Sequence, residues 1–171
     1  MNDVLNRWNL LDADAAAREV LPCCGSRAWA AGLAARRPIA DAETLVKDSN
    51  AVWFALPVEA WQEAFDSHPR IGRTHAQKAA TAESLAWSAQ EQKAAVSDDE
   101  AVKLALAEGN ARYEAKFGRI FIVCASGRSA AEILANLKAR MTNDTATELQ
   151  EAAEQQRQIT QLRLHRWLGL Q

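Results

Sequence analysis

The chain has 171 residues, 49% of them hydrophobic and 25% charged, with a formal net charge of -2. That balance excludes an intrinsically disordered chain and a basic nucleic-acid binder, and the length suits a single domain over 1–171 with a sizeable apolar core. No stretch approaches the roughly 20 apolar residues of a membrane span, and the start lacks a basic segment followed by an apolar run, so a cytoplasmic protein without a membrane partner is expected.

The predicted elements are almost all helical, because the apolar residues recur at three and four between only 7 glycines and 4 prolines. A first helix is expected from Asp12 or Asp14 to Leu21, stopped by Pro22 and Gly25. Adjacent Cys23 and Cys24, with Cys124 far off, form neither an even disulfide set nor a zinc motif and read as reduced thiols. Ser26 caps a second helix that carries Trp29, Leu33 and Ala34 inward and ends before Arg36-Arg37-Pro38. A third starts at Asp41, with Leu45, Val46, Val52 and Trp53 as its apolar stripe. Pro57 then opens a fourth, which stops at Ser67-His68-Pro69. Residues 73 to 82 are weakly patterned and read as a mobile loop or frayed turn over whatever His68 serves.

Ser-x-x-Glu capping boxes at Ser97/Glu100, Ser129/Glu132 and Thr145/Glu148 mark three later helices, the first running through Leu104, Leu106 and Tyr113 to Phe117 and Gly118. Ile120 to Ala125 is the one run with strand character. A strand without a partner leaves its backbone groups unmet, so it is expected to be a buried extended connector whose N–H and C=O groups find other partners, a polar ligand among them.

Three places carry candidate chemistry. An unperturbed histidine can give or take a proton near neutral pH, and His68 is held between a helix end and the rigid Pro69, which makes it a candidate acid/base; the same residues also suit a helix stop with a solvated histidine. Ser88, Glu91 and Gln92 read either as another capping box or as an acid/base and an amide at a helix N-terminus that receives an anion. Arg163, four residues from both Ile159 and Trp167, falls on the inner stripe of the last helix. It is either an internal ion pair or a fork for a planar anion. Arg128 reads as structural, and His75 and His165, remote from any carboxylate at metal-ligand spacing, as surface residues.

Taken in order, His68-Pro69-Arg70-Ile71-Gly72, Trp87-Ser88-Ala89-Gln90-Glu91-Gln92, Phe117-Gly118 with Phe121-Ile122-Val123-Cys124-Ala125-Ser126-Gly127-Arg128-Ser129, and Ile159-Thr160-Gln161-Leu162-Arg163-Leu164 resemble the motifs of the 2-oxo-4-hydroxy-4-carboxy-5-ureidoimidazoline (OHCU) decarboxylases. The likeness extends from Trp8-Asn9-Leu10 through Cys23-Cys24-Gly25-Ser26 to the end of the chain. It implies an all-α, single-domain helical bundle of about eight to ten helices, a homodimer without metal or organic cofactor. The implied reaction is decarboxylation of OHCU to S-allantoin in urate degradation. By resemblance His68 is the catalytic acid/base, with Glu91 beside it on the substrate hydroxyl or its proton. Pro69, Ser88, Gln92, Arg163 and the backbone of Phe121, Ile122, Val123, Cys124 and Ala125 would position the ring. The loop from Arg73 to Glu83 varies in such proteins and carries no expectation. A helical interaction module, in which the same polar residues only cap and staple, is the alternative.

Overall fold

The computed structural model describes residues 2–72 and 80–170, and among these it contains nine α-helices, one 3-10 turn at Lys93–Ala95 and no strand. The all-α expectation and its helix count hold. The helices are α1 Asp3–Asn9, α2 Ala13–Cys24, α3 Arg27–Ala34, α4 Ala42–Phe54, α5 Val58–Asp66, α6 Ala82–Glu91, α7 Glu100–Phe117, α8 Ala130–Arg140 and α9 Thr145–Trp167. They gather into two compact units, residues 1–64 with 157–171, and residues 65–156.

Four helix starts in the first unit have a side-chain acceptor. Asn2, Asp12, Ser26 and Asp41 take backbone N–H groups of α1, α2, α3 and α4, which satisfies donors that a helix leaves unpaired. The short α1 lies outside the elements expected from periodicity. It buries Leu5 and Trp8, and its cap also donates from Asn2 Nδ2 to the Leu168 carbonyl at 2.8 Å. α2 continues through Pro22 to Cys24, two residues past the expected stop beyond Leu21, and ends where Gly25 adopts φ 87°. A proline removes one helical hydrogen bond, a loss smallest near a helix end, and Gly25 alone supplies the left-handed turn. The indoles dominate this core and their N–H groups are met: Trp8 Nε1 donates to Ala16 O at 2.9 Å, Trp29 Nε1 to Ser49 Oγ at 3.2 Å, and Trp61 Nε1 to Trp53 O at 2.8 Å. A Cβ on Gly32 would lie 2.7 Å from Val52 Cγ1, so α3 and α4 pack this closely only with glycine there.

In the second unit α7 and α8 enclose Leu106, Tyr113, Phe117, Phe121, Val123, Ala125, Ile133 and Leu137. The 120–125 segment belongs to no helix or strand and is buried throughout, as expected of a buried connector. Ser129 and Glu132 form the expected reciprocal capping box. The other two boxes are corrected. Asp99, not Ser97, caps α7, and Asp144, not Thr145, accepts from Thr147 N at 2.7 Å to open α9. In both cases a carboxylate on the residue immediately before the helix holds the N–H groups and also complements the helix dipole.

Candidate active site

His68 follows α5 by two residues, after a turn in which its N–H donates to Phe65 O at 3.2 Å. Its side chain is 7% exposed, so it is not a solvated cap. Nε2 lies 2.7 Å from Gln156 Oε1, a fully buried amide on α9. Pro69 beside it is buried as well. Two residues on, Arg70 turns its fork onto Glu114 of α7, with Nε at 2.5 Å and Nη2 at 2.8 Å from the two carboxylate oxygens. This bidentate pair holds the Arg70 guanidinium above its ordinary pKa, chiefly through the hydrogen bond to Glu114, and ties the segment after the imidazole to a long helix.

α6 corrects the reading of Ser88 and Glu91 as a helix start. Thr81 is the cap, accepting from Ser84 N at 3.0 Å, and the helix ends at Glu91 with Gln92 following it. The end presented there carries carbonyls and the negative pole, so the anion-receiving N-terminus expected at this motif is absent. A carbonyl-rich end suits substrate N–H and O–H groups. What the helix offers instead is its inner face: the residues buried along it are Ser84, Ser88 and Glu91, at i, i+4 and i+7. A buried helical stripe of two hydroxyls and a carboxylate is unusual where a core would ask for leucine or valine, and it marks a polar interior. Gln92 Oε1 accepts from Gly72 N at 3.0 Å, joining the His68–Gly72 motif to the end of α6.

The connector's backbone finds two of its partners in side chains. Cys124 N donates to Gln155 Oε1 at 2.9 Å, and Ile122 O accepts from Arg140 Nη1 at 2.6 Å. Arg140, nearly fully buried, also gives Nε and Nη2 to Glu148 Oε1 and stacks 4.5 Å over the Phe121 ring. Tyr113 donates to the same Glu148 oxygen at 2.5 Å, and Asn143 Nδ2 to the other at 3.0 Å. Burial, and then the hydrogen bond to Glu148, push the Tyr113 phenol well above its usual value, so it stays a donor in this network. The connector is thereby clamped from α8 and α9.

Of the expected site residues, His68, Pro69, Ser88, Glu91, Gln92 and Phe121 to Ala125 all belong to the second unit. Arg163 belongs to the first, where it is 1% exposed and Nη1 donates to Pro22 O at 3.2 Å. A cavity of about 420 Å³ borders Arg70, Ile71, Gly72, Leu106, Asn110 and Glu114, and neither His68 nor Glu91 lines it. His75 lies outside the described residues, as does most of the expected 73–82 loop, while His165 is half-buried. The three cysteines are buried and outside any disulfide, and burial pushes Cys24 up to about 12. Among the described residues no group of three or more His, Cys, Asp or Glu side chains is arranged to hold a metal ion. Nor, among them, is any helix long and apolar enough to cross a membrane. Ser84 and Gln156 escaped the sequence reading. The i, i+4, i+7 spacing of Ser84, Ser88 and Glu91 was a usable signal for the first, whereas Gln156 lies 88 positions from its partner and had none.

Helices that bury an imidazole, a carboxylate and hydroxyls, with amides bound to the motif segments, define an all-helical protein with a polar interior. The model of the family described as OHCU decarboxylase matches residues 9–165, and the chain belongs to that family. It is 40% identical over 144 residues to the "Uric acid degradation bifunctional protein TTL" of Arabidopsis thaliana, a match covering 83% of this chain and 44% of that protein. It is 32% identical over 136 residues to the "2-oxo-4-hydroxy-4-carboxy-5-ureidoimidazoline decarboxylase" of Amia calva, covering 79% and 77% respectively. The chain thus spans less than half the length of the Arabidopsis protein and about three quarters of the Amia one. A crystal structure of an OHCU decarboxylase in the presence of (S)-allantoin superposes with a TM-score of 0.75 at 34% identity, covering 88% of this chain and 97% of that one. A crystal structure of an (S)-allantoin synthase shares the fold at 17% identity and a TM-score of 0.73, covering 95% of this chain and 53% of that one.

Proposed function

We propose that the chain is an OHCU decarboxylase acting as one domain over 1–171, releasing carbon dioxide and forming S-allantoin in urate degradation. The observation that carries this reading is the buried polar stripe of α6, Ser84, Ser88 and Glu91, in the same unit as the buried His68. Such polar side chains are enclosed only where they are hydrogen-bonded, so the stripe makes the interior of this unit polar. In the reaction the bond between the ring carbon and the carboxylate breaks and its electron pair stays with the conjugated ring system. Glu91 takes the hydroxyl proton as that oxygen becomes a carbonyl and passes it to the ring nitrogen on which the electron pair collects, and His68 delivers a second proton to the ring carbon from one face, which sets the stereochemistry of the product. One proton is consumed per turnover and is returned to His68 from solvent. Ser88, Gln92, Pro69 and the 121–125 backbone are assigned to positioning the ring, and Arg163 to gripping its anionic edge. Donors fixed in advance stabilise developing charge with little reorganisation.

The reading further includes a homodimer in the cytoplasm that needs no metal or organic cofactor; supplying and then chelating divalent cations is expected to leave turnover unchanged. The central test follows freshly generated OHCU by circular dichroism with wild type, His68→Ala and Glu91→Gln. Wild type is expected to give S-allantoin, and His68→Ala to lose about 10²–10⁴-fold in rate while still folding, with a lowered melting temperature because the buried Gln156 amide loses its imidazole partner. Because Glu91 closes α6 and does not cap it, Glu91→Gln is expected to lose activity without losing stability. A slow racemic decay unaltered by wild type would leave a helical interaction module as the reading.

A further inference from the structure

Two successive residues of α9 hold different segments of the second unit. Gln155 takes the Cys124 N–H and passes its own amide N–H to Glu151 Oε1 at 2.9 Å. Gln156 turns its Oε1 to His68 Nε2 at 2.7 Å. Neighbouring helical positions point about 100° apart, so a single turn of α9 meets both the connector and the imidazole. Gln156 is fully buried, and a buried amide oxygen needs a donor.

We propose that Gln156 is a positioning residue for His68. Its amide oxygen holds the neutral imidazole in the Nε2–H form, so that the proton His68 exchanges moves at Nδ1. The catalytic part of this inference rests on the decarboxylase reading; the tautomer does not. A neutral imidazole has one N–H and one lone-pair nitrogen, and a carbonyl oxygen facing Nε2 demands the N–H there. The cycle then needs no ring rotation. The imidazolium gives up its Nδ1 proton, the electron pair left by the departing carbon dioxide forms the new bond to that proton, and the ring is left in the Nε2–H form. A solvent proton restores Nδ1. Turning the imidazole over would break the bond to Gln156.

The test uses the full chain labelled with ¹⁵N-histidine, its 3 histidines assigned with the help of His68→Asn. Nitrogen shifts recorded above the titration of His68 are expected to show Nε2 protonated and Nδ1 bare. Gln156→Met keeps the length of the side chain and removes the acceptor; it is expected to give a mixture of tautomers and to lower kcat about tenfold to a hundredfold, with KM changed by less than about twofold. Gln156→Glu retains an acceptor oxygen and is expected to keep the Nε2–H form. A wild-type imidazole protonated on Nδ1, or a Gln156→Met protein with unaltered tautomer and kcat, would overturn the proposal. Should Gln156→Met fail to fold, the wild-type and Gln156→Glu tautomers still decide it. A protein inactive on OHCU but with Nε2–H lost only in Gln156→Met would sink the decarboxylase reading and leave the tautomer assignment standing.

Discussion

At the scale of single residues, the arginine of the last helix separates charge from shape. Arg163 is buried, as its place on the apolar stripe required, and one of its nitrogens is committed to the Pro22 carbonyl at the end of α2. A guanidinium presents five donors in a fixed fork, so a bond to the backbone leaves the group able to bind elsewhere at the same time. Lysine keeps the charge and loses the fork. Arg163→Lys is therefore expected to raise KM for OHCU about tenfold to a hundredfold, the scale of a charge-assisted hydrogen bond of about 1.5–3 kcal/mol, with a small fall in melting temperature from the Pro22 contact. A lower melting temperature with unchanged KM would strike Arg163 from the site and leave it a purely internal tether. His68 and Glu91 were legible because proline and glycine punctuate one motif and an acid stands out in the other. Gln156 was not, since its meaning lies in a partner brought near by folding, and glutamines are common on helix surfaces.

Helix starts were the most legible elements where the capping side chain is the first acceptor before an apolar run, as at Ser26, Asp41 and Ser129. The Ser-x-x-Glu pattern misled at Ser88 because three residues apart is also the spacing of neighbours on one face of a helix interior. Sequence alone does not say which of the two geometries applies; α6 begins at Ala82 and makes the pair part of its buried stripe. This difference is measurable. Ser129→Ala removes a cap and is expected to lower stability by about 1 kcal/mol, whereas Ser97→Ala, outside α7, is expected to cost far less. The box also has a pH signature. The backbone N–H of Ser129, and then its side chain, hold the Glu132 carboxyl below its ordinary 4.5. A depressed folded value adds stability above the unfolded pKa that disappears as pH falls through the folded one. Melting temperatures of wild type and Glu132→Gln should therefore differ near neutral pH and converge as the medium is acidified below 4.5.

The molecule as a whole poses a different question, because its two compact units are not successive in sequence: residues 157–171 complete the unit begun by 1–64. Periodicity and caps see only neighbours along the chain, so this division was invisible in the sequence, which read as one domain. The family match over 9–165 runs through both units and respects neither boundary. Both boundaries also fall inside helices, between Ala64 and Phe65 in α5 and between Gln156 and Arg157 in α9. Cutting cooperative order at either point would break a continuous hydrogen-bonded ladder, and helices resist such interruption because restarting one costs a new nucleus. A single unfolding transition is the expected outcome. The tryptophans make it testable, since Trp8, Trp29, Trp53, Trp61 and Trp167 lie in the first unit and only Trp87 of the 6 in the second. In a Trp87→Phe protein, indole fluorescence reports the first unit alone while far-ultraviolet circular dichroism reports helices of both. Urea curves from the two probes should coincide in midpoint and slope if 1–171 is one cooperative domain. Separate midpoints, with fluorescence lost before or after a substantial part of the helical signal, would show that the units fold independently and that the single-domain reading is wrong.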